Sequence, residues 1–293
     1  MNAIFRISQD HVQLSSCHLV RLERTPVATA IKAHDHDYYE ILIVTAGTGA
    51  HITSDGRHPI GRGSLAVLAP GQVHAFEPGP GLEVVNIYYL SEWLLNDLRG
   101  LWDQEGLIPL FFKAALFRRG PDFIPDGYLP REDLGLVINE LRQLEAEQKQ
   151  KAPSLLMQRL ILLKVMVILA RSLRRSLHPQ GTSLLGPPVW SYLQHVEAVI
   201  NRLQRPDITR FALGNGISRD HFRRLFSRAT GMAPMEYFQH RRIQIASGRL
   251  LDPSKSITTI AHELGFTDAA HFSARFTHCK GCSPRAYRKQ FRF

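Results

Sequence analysis

Along the first ninety residues, apolar side chains come in short runs separated by turn chemistry. Residues 28–31, 39–45, 51–53, 65–68 and 82–89 are rich in β-branched and aromatic types, and Gly47, Gly49, Asp55-Gly56, Gly61, Gly63, Pro70-Gly71 and Pro78-Gly79-Pro80-Gly81 punctuate them. Short strands at this spacing predict an antiparallel sandwich or barrel. Past residue 90 the period changes. Residues 91–119 are mixed and apolar-rich, with Trp93 and Trp102, and read as helical at first and packed beside the barrel. Residues 132–149 repeat Leu134, Ile138, Leu141 and Leu144 with charges between, which predicts an amphipathic helix. Pro153 opens another, to about residue 177, with Leu156, Leu160, Leu163, Val167 and Ala170 on one stripe and apolar residues on most other sides. Such a helix needs burial on more than one face. Residues 178–188, rich in Pro and Gly, read as a linker, and residues 189–203 as the opening helix of a last domain.

That last domain contains one pattern twice. Ile208-Thr209-x-Phe211-Ala212 returns 49 residues on as Ile257-Thr258-x-Ile260-Ala261. His221-Phe222-x3-Phe226-x4-Gly231-x2-Pro234-x2-Tyr237 returns 50 residues on as His271-Phe272-x3-Phe276-x4-Gly281-x2-Pro284-x2-Tyr287. A repeat of this kind is a fold-level signal, and the change of offset implies a one-residue insertion in a turn. Each copy reads as a short helix, a turn containing Gly216 or Gly265, then a helix capped by Ser218 or by Asp268 (or Thr267). Phe222 and Phe226, and Phe272 and Phe276, stand at i and i+4 and give each second helix one core stripe. This is the helix-turn-helix plan, whose second helix enters the major groove. Arg219, Asp220, Arg223 and Arg224 lie opposite the phenylalanine stripe.

Charge sharpens the division. Of the net +10, none resides in residues 1–188; residues 189–293 hold 17 basic against 7 acidic side chains. A basic module joined to a neutral one suits nucleic-acid binding coupled to some other task. The three cysteines, Cys17, Cys279 and Cys282, form no disulfide framework; Cys279-x-x-Cys282 resembles a redox or zinc knuckle only superficially, since it lacks a second ligand pair, and with no leader evident the set fits a reducing cytoplasm. The most apolar run, 155–170, is broken by Arg159 and Lys164 and is too short to span a membrane.

Ala212, Gly216, Ser218, Leu225-Phe226, Gly231, Pro234 and Tyr237, with Ile260-Ala261, Gly265-Phe266, Asp268, His271-Phe272-Ser273, Phe276, Gly281-x-Ser283-Pro284 and Tyr287-Arg288, resemble the AraC/XylS-type DNA-binding domain. The resemblance implies two helix-turn-helix units (about 208–229 and 257–279) joined by a long helix (about 235–251), promoter binding as a homodimer, and contact with RNA polymerase. Carried over by position, the base-reading face falls on Asp220, Arg223 and Arg224, and in the second unit on Ala269, Ala270 and Ala274. Alanine cannot hydrogen-bond a base edge. The first unit is therefore expected to carry most direct readout, with His271, Ser273 and Arg275 holding phosphates.

In the first ninety residues, His34-x-His36-x3-Glu40-x6-Gly47 and Gly63-x6-Pro70-Gly71-x2-His74 resemble the two half-motifs of the cupin barrel, the second in compressed form. In cupin enzymes the equivalents of His34, His36, Glu40 and His74 hold a metal. Sensor cupins fused to this kind of DNA-binding domain commonly use the interior for a small organic ligand instead. The readings left open are a metal-free ligand chamber, ligand binding assisted by a divalent metal, and plain structural residues. A chamber would be lined by His34, His36, Glu40, His74, Asn86 and Tyr88, with at most one of Tyr38 and Tyr39 facing it. The run Asn86-Ile87-Tyr88-Tyr89, with His34-x-His36-Asp37 and Tyr39-Glu40, is similar to the rhamnose-regulator branch, which implies a sugar effector.

The expected protein is a cytoplasmic, multidomain regulator that is not an enzyme. It has an N-terminal all-β cupin-like sensor barrel (1–90), a helical extension serving dimerisation (91–177), a linker (178–188) and an all-α DNA-binding domain (189–293). No cofactor is expected beyond a small-molecule effector. The competing classes are a metal-dependent cupin enzyme and an architectural DNA-binding protein without effector.

Overall fold

A computed structural model describes residues 5–14, 18–95, 101, 104, 106–117, 126–177, 185–252 and 254–290. Trp102, Cys17 and most of the expected linker lie outside the described residues. The strands in chain order are β1 (Phe5–Ile7), β2 (Val20–Pro26), β3 (Ile31–His36), β4 (Tyr39–Ala46), β5 (Thr48–Thr53), β6 (Gly56–Gly61), β7 (Ser64–Leu68), β8 (His74–Pro78), β9 (Glu83–Tyr89) and β10 (Asp126–Tyr128). The helices are α1 (Ser91–Leu94), α2 (Leu107–Phe111), α3 (Lys113–Leu116), α4 (Arg131–Gln148), α5 (Leu155–Leu177), α6 (Pro187–Asn201), α7 (Ile208–Gly214), α8 (Arg219–Thr230), α9 (Pro234–Leu250), α10 (Ile257–Glu263), α11 (Ala269–Lys280) and α12 (Pro284–Gln290).

The chain divides into two compact units. One holds the described residues of 1–91, 104–112 and 121–182, and the other those of 92–103, 113–120 and 183–293. The first unit carries two five-stranded sheets, ordered β1-β3-β8-β5-β6 and β10-β7-β4-β9-β2. Pairing is antiparallel except between β1 and β3. Val27, Leu42, Val44, Ala66, Leu68, Phe76, Leu82 and Val84 form a core from residues of both sheets. The central strand β4 is apolar at nearly every position because both its faces are covered: Leu42 and Val44 join that core, while Tyr39 stacks on Tyr89, which donates to Phe111 O of α2.

Several strands were hidden from the hydrophobic pattern. The expected strand at 28–31 is displaced, since β3 begins at Ile31 and runs through His34 and His36. Strand β2, Val-Arg-Leu-Glu-Arg-Thr-Pro, and strand β6, which contains Pro59, are sheet edges, where charge and proline are tolerated. The segment 91–119 does not pack as one piece beside the barrel. Only α2 does. Residues 92–95 and α3 group with the helical unit, where Arg241 Nη2 donates to Leu95 O at 2.7 Å, Phe117 meets Tyr237 at 5.9 Å, and Ala115 O accepts from His240 Nε2 at 3.2 Å.

In the first unit α4 and α5 pair through Leu134, Val137, Leu141 and Leu144 on one side and Leu162, Val165, Met166 and Leu169 on the other, all buried. The stripe of Leu156, Leu160, Leu163, Val167 and Ala170 is split. Ala170 is buried, but Leu156 and Leu160 are exposed, because the buried seam of α5 lies one position away.

The helical unit contains the duplicated plan. Asp207 and Ser256 cap α7 and α10; Ser218 and Asp268 cap α8 and α11. Gly231 and Gly281, both at φ +73°, end α8 and α11 in the left-handed conformation that glycine adopts without cost. The offset changes where the turn is one residue longer. Gly216 and Gly265 both have positive φ; Ile217 alone separates Gly216 from its cap, whereas Phe266 and Thr267 separate Gly265 from Asp268. Helix α9 contacts α8, α10, α11 and α12 and ties the two copies together.

Candidate functional site

The candidate nucleic-acid interface is built on α8 and α11. In α8, Phe222 and Phe226 are fully buried against Tyr192 of α6, with ring centroids 5.0 and 5.2 Å away. That packing turns Arg219, Asp220, Arg223 and Arg224 outward, and all four are exposed. Among the described residues none of the three guanidiniums has an ion-pair or hydrogen-bond partner. Ser218 Oγ accepts from His221 N at 3.2 Å, so this candidate residue fixes the helix start and is occupied by its own backbone.

In α11, Phe272 and Phe276 are buried against Phe266 and Tyr287, and Arg242 of α9 lies 3.7 Å from the Phe266 ring centre while donating to Leu264 O. Asp268 Oδ1 accepts from His271 N at 2.7 Å, and that bond lowers the Asp268 pKa. Ala270, His271, Ala274 and Arg275 are exposed, and Ala269 and Ser273 half-buried. The second helix therefore presents a nearly flat alanine surface flanked by His271 and Arg275, where the first presents long basic side chains.

The interior of the sheet unit gathers four candidates. His34 pairs with His74 across β3 and β8, and His36 and Glu40 complete the cluster; all four are buried. Hydrogen bonding fixes the tautomers. His34 Nδ1 donates to Lys32 O at 2.9 Å, so in the neutral ring its Nε2 accepts from His74 Nε2 at 2.8 Å. His74, whose pKa burial holds far below the usual histidine range, is then neutral with a bare, unpartnered Nδ1. His36 Nδ1 donates to Tyr38 O at 2.7 Å, which leaves its Nε2 as an acceptor 3.3 Å from Glu40 Oε2. Two acceptors face each other there, and a shared proton or a bound cation makes the contact attractive. His36, Glu40 and His74 each offer a ligand atom within 4.8 Å of the others, a donor set that suits a divalent transition metal.

Asn86 and Tyr88 form a separate pair. Asn86 Nδ2 donates to Tyr88 Oη, which donates to Glu23 Oε2, both at 3.0 Å. Tyr38 links the two groups, stacked on His36 at 4.5 Å and edge-on to Tyr88 at 5.1 Å. The residue the sequence did not single out is His51 of β5, 3% exposed, stacked on Phe76 at 4.6 Å and edge-on to His74 at 5.5 Å. Alternation along β5 would place it inward, but only the pairing of β5 with β8 shows what it meets.

Burial lowers the His51 pKa to about 4. The unfolded chain then binds more protons than the folded one between about pH 4 and 6.5, so the stabilisation is complete above that window and lost as pH falls through it. The full shift corresponds to about 3 kcal/mol. Calorimetry is expected to show a melting temperature that falls from pH 7 to pH 5, with a shallower fall in His51→Gln; equal slopes would remove His51 from this account.

Two family models match the chain: the AraC-like ligand binding domain over residues 16–163, half the chain, and a helix-turn-helix domain over residues 212–290. The chain belongs to the AraC family. It is a DNA-binding transcription regulator with a ligand-binding domain. It is 25% identical to the HTH-type transcriptional activator RhaR of Mannheimia succiniciproducens, covering 99% of each chain. It is 28% identical to the activator RhaS of Pectobacterium carotovorum, over 91% of this chain and 90% of that one. ToxT from Vibrio cholerae aligns over 94% of this chain and 98% of its own at 13% identity and a TM-score of 0.42, too distant a likeness to carry an argument.

Proposed function

We propose that this regulator is a cytoplasmic, homodimeric activator that senses a sugar and recruits RNA polymerase to promoters of genes for its use. The observation that carries the DNA-binding half is the α8 face, where three exposed guanidiniums stand on a helix fixed by a cap and two buried phenylalanines. Support for activation and a sugar comes from the RhaR and RhaS activators and from the resemblance of residues 86–89 to the rhamnose-regulator branch. No helix among the described residues is long and apolar enough to cross a membrane. An effector can act only through different affinity for two arrangements of the protein. The test is fluorescence anisotropy on the upstream DNA of its own gene and on a shuffled fragment, with a panel of uncharged monosaccharides that includes L-rhamnose. Preference for the native fragment that responds to one sugar is expected; equal binding to both, unmoved by any sugar, would overturn the reading.

The proposed dimer face is the exposed apolar surface of the helical pair, where Leu136, Leu156, Met157 and Leu160 are 47–64% exposed. Leu160→Glu is expected to give monomers in sedimentation analysis with its fold intact. Leu141, by contrast, is fully buried between the helices, so a charge there tests folding. A Leu160→Glu protein that stays dimeric would move the interface elsewhere.

We assign the interior cluster no resident metal, since hydrogen bonds to Lys32 O, to Tyr38 O and between His34 and His74 already hold its three imidazoles. Dialysis against EDTA is then expected to leave the melting temperature unchanged. A fall of several degrees, with stoichiometric metal in the untreated protein, would reverse that assignment and make His36, Glu40 and His74 the ligands. The relatives bear regulator names, so no catalytic role is assigned.

A further inference from the structure

We propose that the effector sits outside the histidine–glutamate cluster, in the cavity between β5–β6 and β7–β10, and that it is a small uncharged polyhydroxyl compound. The inference rests on the sugar-sensing reading above and gives that reading a site. The cavity has a volume of about 300 Å³, at the lower end of small-molecule sites, and none of His34, His36, Glu40, His74, Asn86 and Tyr88 lines it. Its walls combine apolar surface, such as Leu42 and Ile60, with the polar groups of His51, His58, Ser64 and Tyr128.

Each polar group has capacity to spare. His51 is almost fully buried, yet its Nε2 has no hydrogen-bond partner, the costly state that a ligand hydroxyl would relieve. His58 stands directly opposite it across β5 and β6, which puts two imidazoles on one face; its Nε2 lies 3.5 Å from Asp55 Oδ1, which leaves Nδ1 for a ligand. Ser64 Oγ accepts from Gly61 N at 3.0 Å and keeps its own proton to donate. Tyr128 is 57% exposed and forms the outer edge. Among the described residues no lysine, arginine or carboxylate lines the cavity, and His58, the more accessible of its two imidazoles, already faces the Asp55 carboxylate at 3.5 Å, so a phosphate would find no unmatched cation there. Apolar walls with a few neutral donors and acceptors suit a sugar ring.

The site is also placed to signal. Tyr128 lies over Gly63, where an added Cβ would stand 2.8 Å from its ring, and β10 pairs with β7 on one side. On the other side the β10 backbone rests on α5: a Cβ on Gly127 would fall 2.3 Å from Leu173 Cδ2. A ligand that fixes Tyr128 therefore fixes a strand that lies on the helix carrying Leu156 and Leu160.

The experiment is isothermal titration of the full-length protein with the same panel of uncharged monosaccharides, L-rhamnose included, and with their phosphates. One neutral sugar is expected to bind and its phosphate not to. His51→Gln, which removes a hydrogen bond in a desolvated position, and Tyr128→Ala, which removes the ring that closes the outer edge, should each weaken that binding by about tenfold or more. Tyr128 is exposed enough for its variant to fold, and unliganded melting temperatures check both. Tyr88→Phe and Glu40→Gln should change the affinity by less than roughly threefold. If these two abolish binding and the cavity variants do not, the site assignment is wrong while sugar sensing stands. Tighter binding of the phosphate would overturn the ligand class. If no sugar binds the unaltered protein, the sugar-sensing reading fails and the site assignment falls with it.

Discussion

Replacing Glu197 with alanine is expected to destabilise the helical unit by about 3–5 kcal/mol, the cost of leaving one member of a buried ion pair without its partner. Arg241 of α9 is fully buried, and Glu197 of α6 nearly so. The guanidinium grips the carboxylate in a fork, Nε to Oε1 at 2.6 Å and Nη2 to Oε2 at 3.2 Å, and Nη2 also donates to Leu95 O. Without Glu197 a buried cation keeps one carbonyl and already has an unpartnered Nη1. Urea denaturation measures the loss. The double replacement Glu197→Leu with Arg241→Met should recover most of it, because well-packed apolar residues of similar volume often match or exceed a buried pair. A single-variant loss under about 1 kcal/mol would mean that packing around Tyr192 and Tyr237, not this pair, joins α6 to α9.

This pair also marks where the sequence stops being legible. In a domain with 17 basic residues, nothing in the sequence around Arg241 and Arg242 says that both are buried, the one against Glu197 and the other against Phe266. The duplicated helical plan was readable because its determinants are local: a cap, a glycine at positive φ, two phenylalanines four apart. Each is recognisable within about a dozen residues. The sheet unit depends on long-range pairing, and there the reading thinned. Strands β2 and β6 carry charge and proline because they lie at edges. The surroundings of His51 follow from β5 lying beside both β8 and β6, and the exposure of Leu160 from a buried seam of α5 that runs through Leu162, Met166 and Leu169. The histidine–glutamate cluster was legible as a group of residues. What could not be read was its internal hydrogen bonding, which leaves the cavity elsewhere.

Arg223→Ala and Arg224→Ala together are expected to cut the preference for the native operator over a shuffled fragment by about a hundredfold, since each good bidentate contact to a base contributes about 1–3 kcal/mol of discrimination. The asymmetry between the two recognition helices is the basis. By the 50-residue offset, Asp220, Arg223 and Arg224 correspond to Ala270, Ser273 and Ala274; the two alanines can touch a thymine methyl but donate no hydrogen bond, and Ser273 is half-buried and far shorter than an arginine. His271→Ala and Arg275→Ala should behave differently. Each removes a phosphate contact, so affinity should fall to a similar extent on both fragments, and for Arg275→Ala the log–log salt slope should become shallower by about 0.9. The same anisotropy assay separates the outcomes, provided salt is titrated for every variant. If discrimination survives the double arginine replacement but disappears with His271→Ala or Arg275→Ala, base reading belongs to the second unit. The arginines of α8 would then serve only to hold the backbone, and His271 or Arg275, beside the alanine surface of α11, would carry the readout through base edges or the shape of the groove.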